Sequence, residues 1–379
     1  MNILNRITEN FSKAQPLPAG VHHVQAMRDD KPYRLHLRLH KDGSGLLILN
    51  AATVLQLNPT AAEYAFHFIK GTEPNEAAKQ ISKRYRVNKK IALTDFENFS
   101  EQIHELISTP DLDPASFLNF ERVVPHSTDF ILRLDCALTY RLPKNAQVEY
   151  APVKRVDREL STDEWKTIMD KAWQAGIPHI IFTGGEATLR DDLLQLIDHA
   201  EKNGQVCGLL TDGLKLADKS YLEMLLQTGL DHLMLILEPS EPRSWKAIET
   251  IVPQDLFLTV HLTLNKTNIT DAKNILQKLT NLGVENISLS AADSDMEGKL
   301  TELQDFASSL HLTLRWDLPV PYSSSNPITI ETLDDEIPAG AGKAWMYVEP
   351  DGDVLPAQGE PDKILGNFLE DNWEIIFNR

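Results

Sequence analysis

Cysteine is scarce in this chain, with only Cys136 and Cys207 among 379 residues. Two thiols exclude a disulfide framework and a four-thiolate metal site built within one chain. Long apolar runs are also missing, and none approaches the roughly 20 residues that a membrane span requires. The first residues lack the apolar core of a signal peptide. We therefore expect a cytoplasmic protein without a membrane partner.

Basic residues are in deficit as well, with 37 Lys and Arg against 55 Asp and Glu and a net charge of −18. This charge opposes general binding to nucleic acid, whose phosphates recruit basic surfaces. The deficit is uneven, since residues 1–110 carry a net charge of +3 and the remainder carries −21. A change of that size indicates a domain boundary near this position.

The length of the chain allows two or three domains. An alternating run over residues 33–40, a glycine-containing turn and an apolar run over 46–49 predict a β-hairpin. Helical patterns follow up to residue 106. Residues 1–108 are therefore predicted to form a small, winged-helix-like α+β domain, and residues 109–127, with three prolines, a linker.

Strand-like and helical runs alternate six times between residues 128 and 318. The predicted strands are 130–134, 179–182, 206–210, 232–237, 257–264 and 286–290. Six such units predict an α/β fold with a parallel sheet, either open or rolled into a barrel, and a ligand site at the carboxyl ends of the strands. A hairpin around the turn 350–353 and a short helix are expected in the last segment, 319–379.

The sharpest local motif is Thr183-Gly184-Gly185-Glu186, which directly follows the second predicted strand of this repeat. Adjacent glycines allow close backbone approach and leave N–H groups suited to gripping a carboxylate or an amino-acid ligand. The Glu186 carboxylate is suited to accept from an ammonium group. A tight strand-to-helix turn without a ligand is the alternative interpretation.

At this motif the sequence resembles the radical S-adenosylmethionine (radical SAM) superfamily, whose GGE motif it matches. Two further regions carry the resemblance. Residues 340–343, 350–356 and 365–367 resemble the SPASM or twitch extension of peptide-modifying members, and residues 57–63 with 71–72 resemble a PqqD-like peptide-recognition domain. The order of these regions is similar to that of peptide maturases.

The resemblance implies a partial (βα)6 TIM-like barrel over residues 128–318. It also implies S-adenosylmethionine and a [4Fe–4S] cluster as cofactors, and a peptide or small protein as partner of the N-terminal domain. In that domain the edge of the hairpin near residues 33–49 would capture a peptide by strand addition. The residues that would hold S-adenosylmethionine are Thr183, Gly184, Gly185, Glu186, Glu238, Asn265 and Ser290.

The chain departs from the family at its cysteines. Matching the CxxxCxxC loop to Cys136 leaves Tyr140 and Pro143 in the other two positions, so Cys136 is the one candidate metal ligand. In the extension, Ala339 and Ala357 replace the auxiliary cysteines. One thiolate does not hold a cluster that needs three.

The sequence therefore predicts a cluster-deficient pseudoenzyme that binds a peptide or protein partner, with S-adenosylmethionine as a candidate ligand. Two alternatives stay open. One is an active radical enzyme whose cluster uses Cys136 with non-cysteine or partner ligands. The other is an enzyme that binds S-adenosylmethionine without a cluster.

Overall fold

The computed structural model describes residues 16–28, 31–49, 53–108, 131–144, 156–292, 296–314, 341–358, 360 and 362–378. The chain divides into two compact units, residues 1–124 and 125–379. The predicted linker, the predicted boundary at residue 318 and Ala339 lie outside the described residues, so the four-part division stays a prediction. None of the described helices is long and apolar enough to cross a membrane.

The described part of unit 1 is an antiparallel sheet with three helices. Its strands β1 (Gly20–Arg28), β2 (Lys31–Leu39), β3 (Gly45–Leu49) and β4 (Thr53–Leu57) follow one another in the sheet, and the helices are α1 (Pro59–Ile69), α2 (Pro74–Tyr85) and α3 (Lys89–Ser108). The predicted α+β class and the hairpin, which is β2–β3, are confirmed. The hairpin, however, lies between β1 and β4, so the prediction that it offers an exposed edge is wrong.

Local chemistry explains where the helices of unit 1 form. The Asn58 side chain accepts a hydrogen bond from the backbone N–H of Ala61 at 2.9 Å, and Pro59 occupies the first turn of α1, where its missing N–H costs nothing. Along α3, buried side chains recur at helical spacing and belong to the same apolar cluster as the leucines of β2 and β3. This apolar stripe and the alternating leucines make one core for the unit.

Within the residues that the structure describes, unit 2 is built on a ten-stranded sheet. Its strands are β5 (Arg133–Thr139), β6 (His179–Gly184), β7 (Val206–Thr211), β8 (His232–Ile236), β9 (Phe257–Leu264), β10 (Asn286–Ala291), β11 (Thr313–Leu314), β12 (Trp345–Val348), β13 (Asp353–Leu355) and β14 (Gly366–Asn367). The order across the sheet is β11-β10-β9-β8-β7-β6-β5-β12-β13-β14. Strands β5 to β10 are parallel neighbours in chain order, which confirms the predicted α/β class.

Most of the described helices of unit 2 connect these strands, and the last one follows β14. They are α4 (Thr162–Gln174), α5 (Leu193–Asn203), α6 (Lys219–Leu226), α7 (Pro242–Ile251), α8 (Ala272–Asn281), α9 (Glu297–Ser309) and α10 (Trp373–Phe377). Alternate strand residues such as Leu134, Phe182 and Leu262 pack against the helices in one apolar core. The opposite face of the sheet carries buried polar side chains, including Asp135, Thr183 and His261.

The C-terminal extension continues this sheet instead of standing apart from it. Strand β12 pairs with β5 in parallel, and β13 and β14 add two antiparallel strands beyond it. The Lys171 ammonium of α4 donates to the backbone oxygens of Phe368 and Leu369 at 2.9 and 2.7 Å. The predicted hairpin is therefore present, and its residues Met346, Val348 and Val354 belong to the main core of unit 2.

Candidate ligand site at the carboxyl ends of the strands

Cys136 lies inside a strand and not in a loop. Strand β5 runs to Thr139, whereas the sequence predicted its end at residue 134, and Cys136 pairs with Phe182 of β6 and Val348 of β12. Its side chain is fully buried in the apolar core shared with the helices. Burial, and then the nearby Asp135, raise the pKa of this thiol well above its usual value. The position predicted for Cys136 is therefore wrong, and the thiol is poorly suited to ligate a metal.

Cys207 is equally poorly placed to ligate a metal together with Cys136. It lies in β7, two strands from β5. Its partner in β6 is Ile180, which in turn pairs with Leu134 of β5. By the usual strand spacings the two cysteines are about 12 Å apart, too far for a disulfide. Like Cys136, Cys207 is fully buried in the core that the helices cover.

The loop that does follow β5 begins at Tyr140, and residues 140–161 contain no cysteine. The Tyr140 hydroxyl donates to Glu349 Oε1 at 2.9 Å and lies 3.2 Å from the hydroxyl of Tyr347. Burial first, and then these two neighbours, raise the pKa of Tyr140. The described side chains around Tyr140 are thus phenols and a carboxylate, which do not match the three thiolates of a [4Fe–4S] cluster.

The Gly184-Gly185 turn is fitted closely against the start of the same loop. The backbone N–H of Gly185 donates to the Thr139 oxygen at 2.6 Å, and that of Glu186 donates to the Arg141 oxygen at 2.9 Å. A Cβ atom added to Gly184 would lie 2.2 Å from the Thr139 oxygen, and the φ of +123° at Gly184 also favours glycine. A Cβ atom added to Gly185 would lie 2.2 Å from the Arg141 oxygen. The Gly185 N–H, which the sequence assigned to a ligand, is therefore engaged within the chain, as is the neighbouring N–H of Glu186.

Glu186 joins the ends of β6 and β7. Its Oε1 accepts from the backbone N–H of Thr188 at 2.9 Å and from the Thr211 hydroxyl at 2.8 Å, and its Oε2 accepts from the Asp212 N–H at 2.8 Å. The side chain is only 1% exposed. The Glu186 carboxylate therefore links the ends of β6 and β7 by hydrogen bonds. The sequence predicted a contact with an ammonium group and did not predict this link.

Two residues that the sequence interpretation did not assign to the site support this turn. Burial, and then the adjacent Glu186 carboxylate, raise the pKa of Asp212 to about 8. The Arg190 Nη1 donates to the backbone oxygens of Leu138 and Leu160 at 3.1 and 3.0 Å. Their positions in the sequence could have indicated this role, because Asp212 follows the third strand of the repeat and Arg190 lies at the end of the GGE turn.

Thr183 differs from its neighbours, because its hydroxyl is buried and has no hydrogen-bond partner. Ser290, near the end of β10, lies in a buried network in which its hydroxyl is 3.1 Å from His261 Nε2 and 3.3 Å from the Thr263 hydroxyl. A buried hydroxyl without a partner costs free energy unless a ligand or water satisfies it. Thr183 is thus the predicted site residue that fits a bound ligand best.

Glu238 and Asn265 follow β8 and β9, so they share the carboxyl edge with Gly184. The Glu238 Oε1 accepts from the N–H and hydroxyl of Ser240 at 3.1 and 2.7 Å. The Asn265 Oδ1 accepts from the N–H and hydroxyl of Thr267 at 2.9 and 2.6 Å. Both side chains therefore stabilise their own loops, and their role toward a ligand stays a prediction.

Three comparisons relate this geometry to known proteins. Residues 136–288 match the radical SAM superfamily. A PqqA peptide cyclase of Streptomyces rochei is 29% identical over 167 residues, which are 40% of this chain and 46% of that protein. The chain thus spans about half the length of this curated relative.

Among solved structures, SuiB of Streptococcus suis bound to S-adenosylmethionine superimposes with a TM-score of 0.62 at 14% identity, covering 94% of this chain and 88% of SuiB. SuiB bound to the precursor peptide SuiA gives a TM-score of 0.61 at 14% identity over 94% and 89% of the two chains. The fold is that of a radical SAM partial barrel with an N-terminal sheet domain, as the resemblance in sequence implied. The similarity to the radical SAM superfamily thus rests on residues 136–288 in sequence and on the fold in structure.

Proposed function

We propose that this protein is a radical SAM-type peptide-maturase relative that does not build an iron–sulfur cluster and acts by binding a peptide or protein partner. One observation carries the proposal. The segment from Tyr140, where β5 has ended, to the start of α4 contains no cysteine, and both cysteines of the chain lie buried within strands.

The chemistry of the available donors supports this view. A [4Fe–4S] cluster that binds S-adenosylmethionine needs three thiolates, and it supplies the electron that starts radical chemistry in this superfamily. To ligate iron, Cys136 would have to lose its thiol proton and turn out of a close-packed core. The acidic and phenolic groups around Tyr140 offer no thiolate in its place.

A peptide or protein partner is supported by the relatives. The sequence relative is a cyclase of the peptide PqqA, and SuiB has been captured with its precursor peptide SuiA. Because a barrel without a cluster can still present its carboxyl edge, and unit 1 can still recognise a peptide, binding is the function we propose first. Unit 1 is the proposed site of peptide capture.

S-adenosylmethionine is the candidate small ligand of the barrel. Of the predicted residues, Thr183 would hold it through the buried hydroxyl that has no partner, next to the close-fitting Gly184-Gly185 turn. The Glu186 carboxylate, engaged with Thr188, Thr211 and Asp212, would position that turn without contacting the ligand. Cluster-free S-adenosylmethionine chemistry is therefore the second candidate function.

Anaerobic reconstitution with iron and sulfide tests the proposal. We expect the desalted protein to lack thiolate-to-iron absorbance, both in the wild type and in Cys136→Ala. Absorbance that survives desalting in the wild type and disappears in Cys136→Ala would favour the atypically ligated, active enzyme.

Calorimetry tests the second candidate independently. If Thr183 contacts S-adenosylmethionine, Thr183→Val weakens its binding. The matched control is Thr259→Val, which removes another buried hydroxyl without a partner, on β9. Equal affinities of both variants and the wild type would contradict the assignment of Thr183.

A further inference from the structure

A basic and apolar surface lies where α2 ends and α3 begins. We define the α2–α3 patch as Lys83, Arg86, Val87, Lys89, Lys90 and Ile91, all of which are exposed. It lies within residues 77–94, which contain six basic residues and no acidic one. Arg84 is not included, because its guanidinium is turned toward the buried Glu63 at 2.9 Å. The patch is thus a concentration of positive charge on a chain whose net charge is −18.

The stability of the helices explains only part of this charge. Lys83 lies in the last turn of α2, where the negative end of the helix dipole favours a cation. Lys89 and Lys90, however, are the first residues of α3, and no acidic residue occupies that first turn. Cations at this positive end oppose the dipole. Solvation of helix ends therefore does not account for these two lysines.

Ion pairing does not account for the lysines either. Among the described residues, Lys83, Lys89 and Lys90 form no ion pair, whereas the neighbouring Lys79 pairs with Glu76 at 3.2 Å. Lys89 does act electrostatically on the Glu76 carboxylate, but all three lysines are exposed to solvent. Such an arrangement is favourable only when a negatively charged group approaches.

The remaining members of the patch also work against local stability. Arg86 has φ 55°, a left-handed conformation that glycine or asparagine adopts at lower cost at the end of a helix. Val87 and Ile91 leave 42% and 57% of their surfaces exposed beside the lysines. Departures from local rules that cluster at one place are typical of functional surfaces.

We propose that the α2–α3 patch binds an acidic peptide segment through its lysines and seats an apolar side chain of that segment between Val87 and Ile91. This inference rests on the proposed peptide-binding function and names its surface and the chemistry of its partner. Charge complementarity selects an acidic segment, and the two exposed aliphatic side chains select a peptide that carries an apolar residue. A nucleic acid would find no apolar complement here.

The test uses the full chain and a fluorescein-labelled peptide of alternating glutamate and leucine, followed by fluorescence anisotropy at low salt. Lys89→Glu/Lys90→Glu should weaken binding by about tenfold or more, and added salt should weaken wild-type binding. Lys41→Glu/Lys70→Glu makes the same charge change at other exposed positions of unit 1 and should leave the affinity within about twofold of the wild type. Val87→Ser/Ile91→Ser should remove the preference for this peptide over one of glutamate and serine.

Thermal unfolding separates binding from folding, because Lys89→Glu/Lys90→Glu should leave unit 1 as stable as the wild type or more stable. Equal losses of affinity in the two charge-reversal variants would overturn the proposal. So would a single-stranded oligonucleotide that binds the patch as tightly as the glutamate–leucine peptide. Neither result would bear on the missing cluster, which the reconstitution experiment tests separately.

Discussion

Replacing Gly185 with alanine should destabilise unit 2 even when no ligand is present. The added Cβ would lie 2.2 Å from the Arg141 oxygen and 2.8 Å from the Tyr140 carbonyl carbon. Both are backbone atoms, so no flexible side chain can move aside. The loop after β5 would have to shift and give up the hydrogen bonds from Gly185 to Thr139 and from Glu186 to Arg141.

The expected loss follows from those contacts. Two backbone hydrogen bonds contribute about 1 kcal/mol each, and overpacking in a close-packed region adds about 1–3 kcal/mol. We therefore expect the free energy of unfolding to fall by about 3–5 kcal/mol. Gly298→Ala is the matched control, because its Cβ would meet no atom within 4 Å and it lies in α9, where alanine favours the helix.

Chemical denaturation followed by tryptophan fluorescence measures this effect in the relevant unit, because all six tryptophans lie in residues 125–379. Gly298→Ala should match or exceed the wild-type stability. If Gly185→Ala were as stable as the wild type and only weakened ligand binding, the glycine would serve the ligand and not the packing of the loop. That result would refute the structural role assigned to the GGE turn.

Two further predictions concern pH, with the same denaturation assay. Burial lowers the pKa of His261 to about 3, so its favourable contribution is present above its unfolded pKa of 6.5 and is lost as pH falls. Between pH 7 and pH 5, His261 should lower the free energy of unfolding of the wild type by about 2 kcal/mol. His261→Gln should lose correspondingly less stability over this range, and the same pH profile in both proteins would contradict the lowered pKa of His261. Asp212 should affect stability in the opposite direction with pH. Its folded pKa of about 8 lies above the unfolded value, so its contribution to stability is lost as pH rises toward 8. Asp212→Asn should therefore be more stable than the wild type at pH 8, and an identical pH dependence of both proteins would contradict the buried carboxyl pair.

The alternation of strands and helices was readable from the sequence because each strand of a covered parallel sheet is a short apolar run ended by a turn. Strand β9 begins and ends where the pattern predicted, at Phe257 and Leu264. Strand β5 continues to Thr139, beyond its predicted end at residue 134. Asp135 and Thr139 are polar, but the extended chain buries them on the face of the sheet opposite the helices. That error moved Cys136 from the strand into the loop.

The site was predictable in place but not in detail. The carboxyl edge follows from parallel topology, so Glu238 and Asn265 come after their strands as predicted, whereas Thr183 lies inside β6, which extends beyond its predicted end at residue 182. The role of all three toward a ligand stays a prediction. The hydrogen-bond partners of the site residues could not be predicted from the sequence. The Asx turn of Asn265 and the hydrogen bond between Glu186 and Thr211 both depend on the course of the backbone. The contribution of β12 to the main sheet is a long-range pairing that periodicity does not show.

Native mass spectrometry after anaerobic reconstitution tests the central claim most directly, because it counts the iron and sulfide that each chain retains. The absence of cysteine after β5 and the buried thiols of Cys136 and Cys207 predict the mass of the bare chain, with or without S-adenosylmethionine. A stable species carrying four iron and four sulfide atoms per chain would contradict the account.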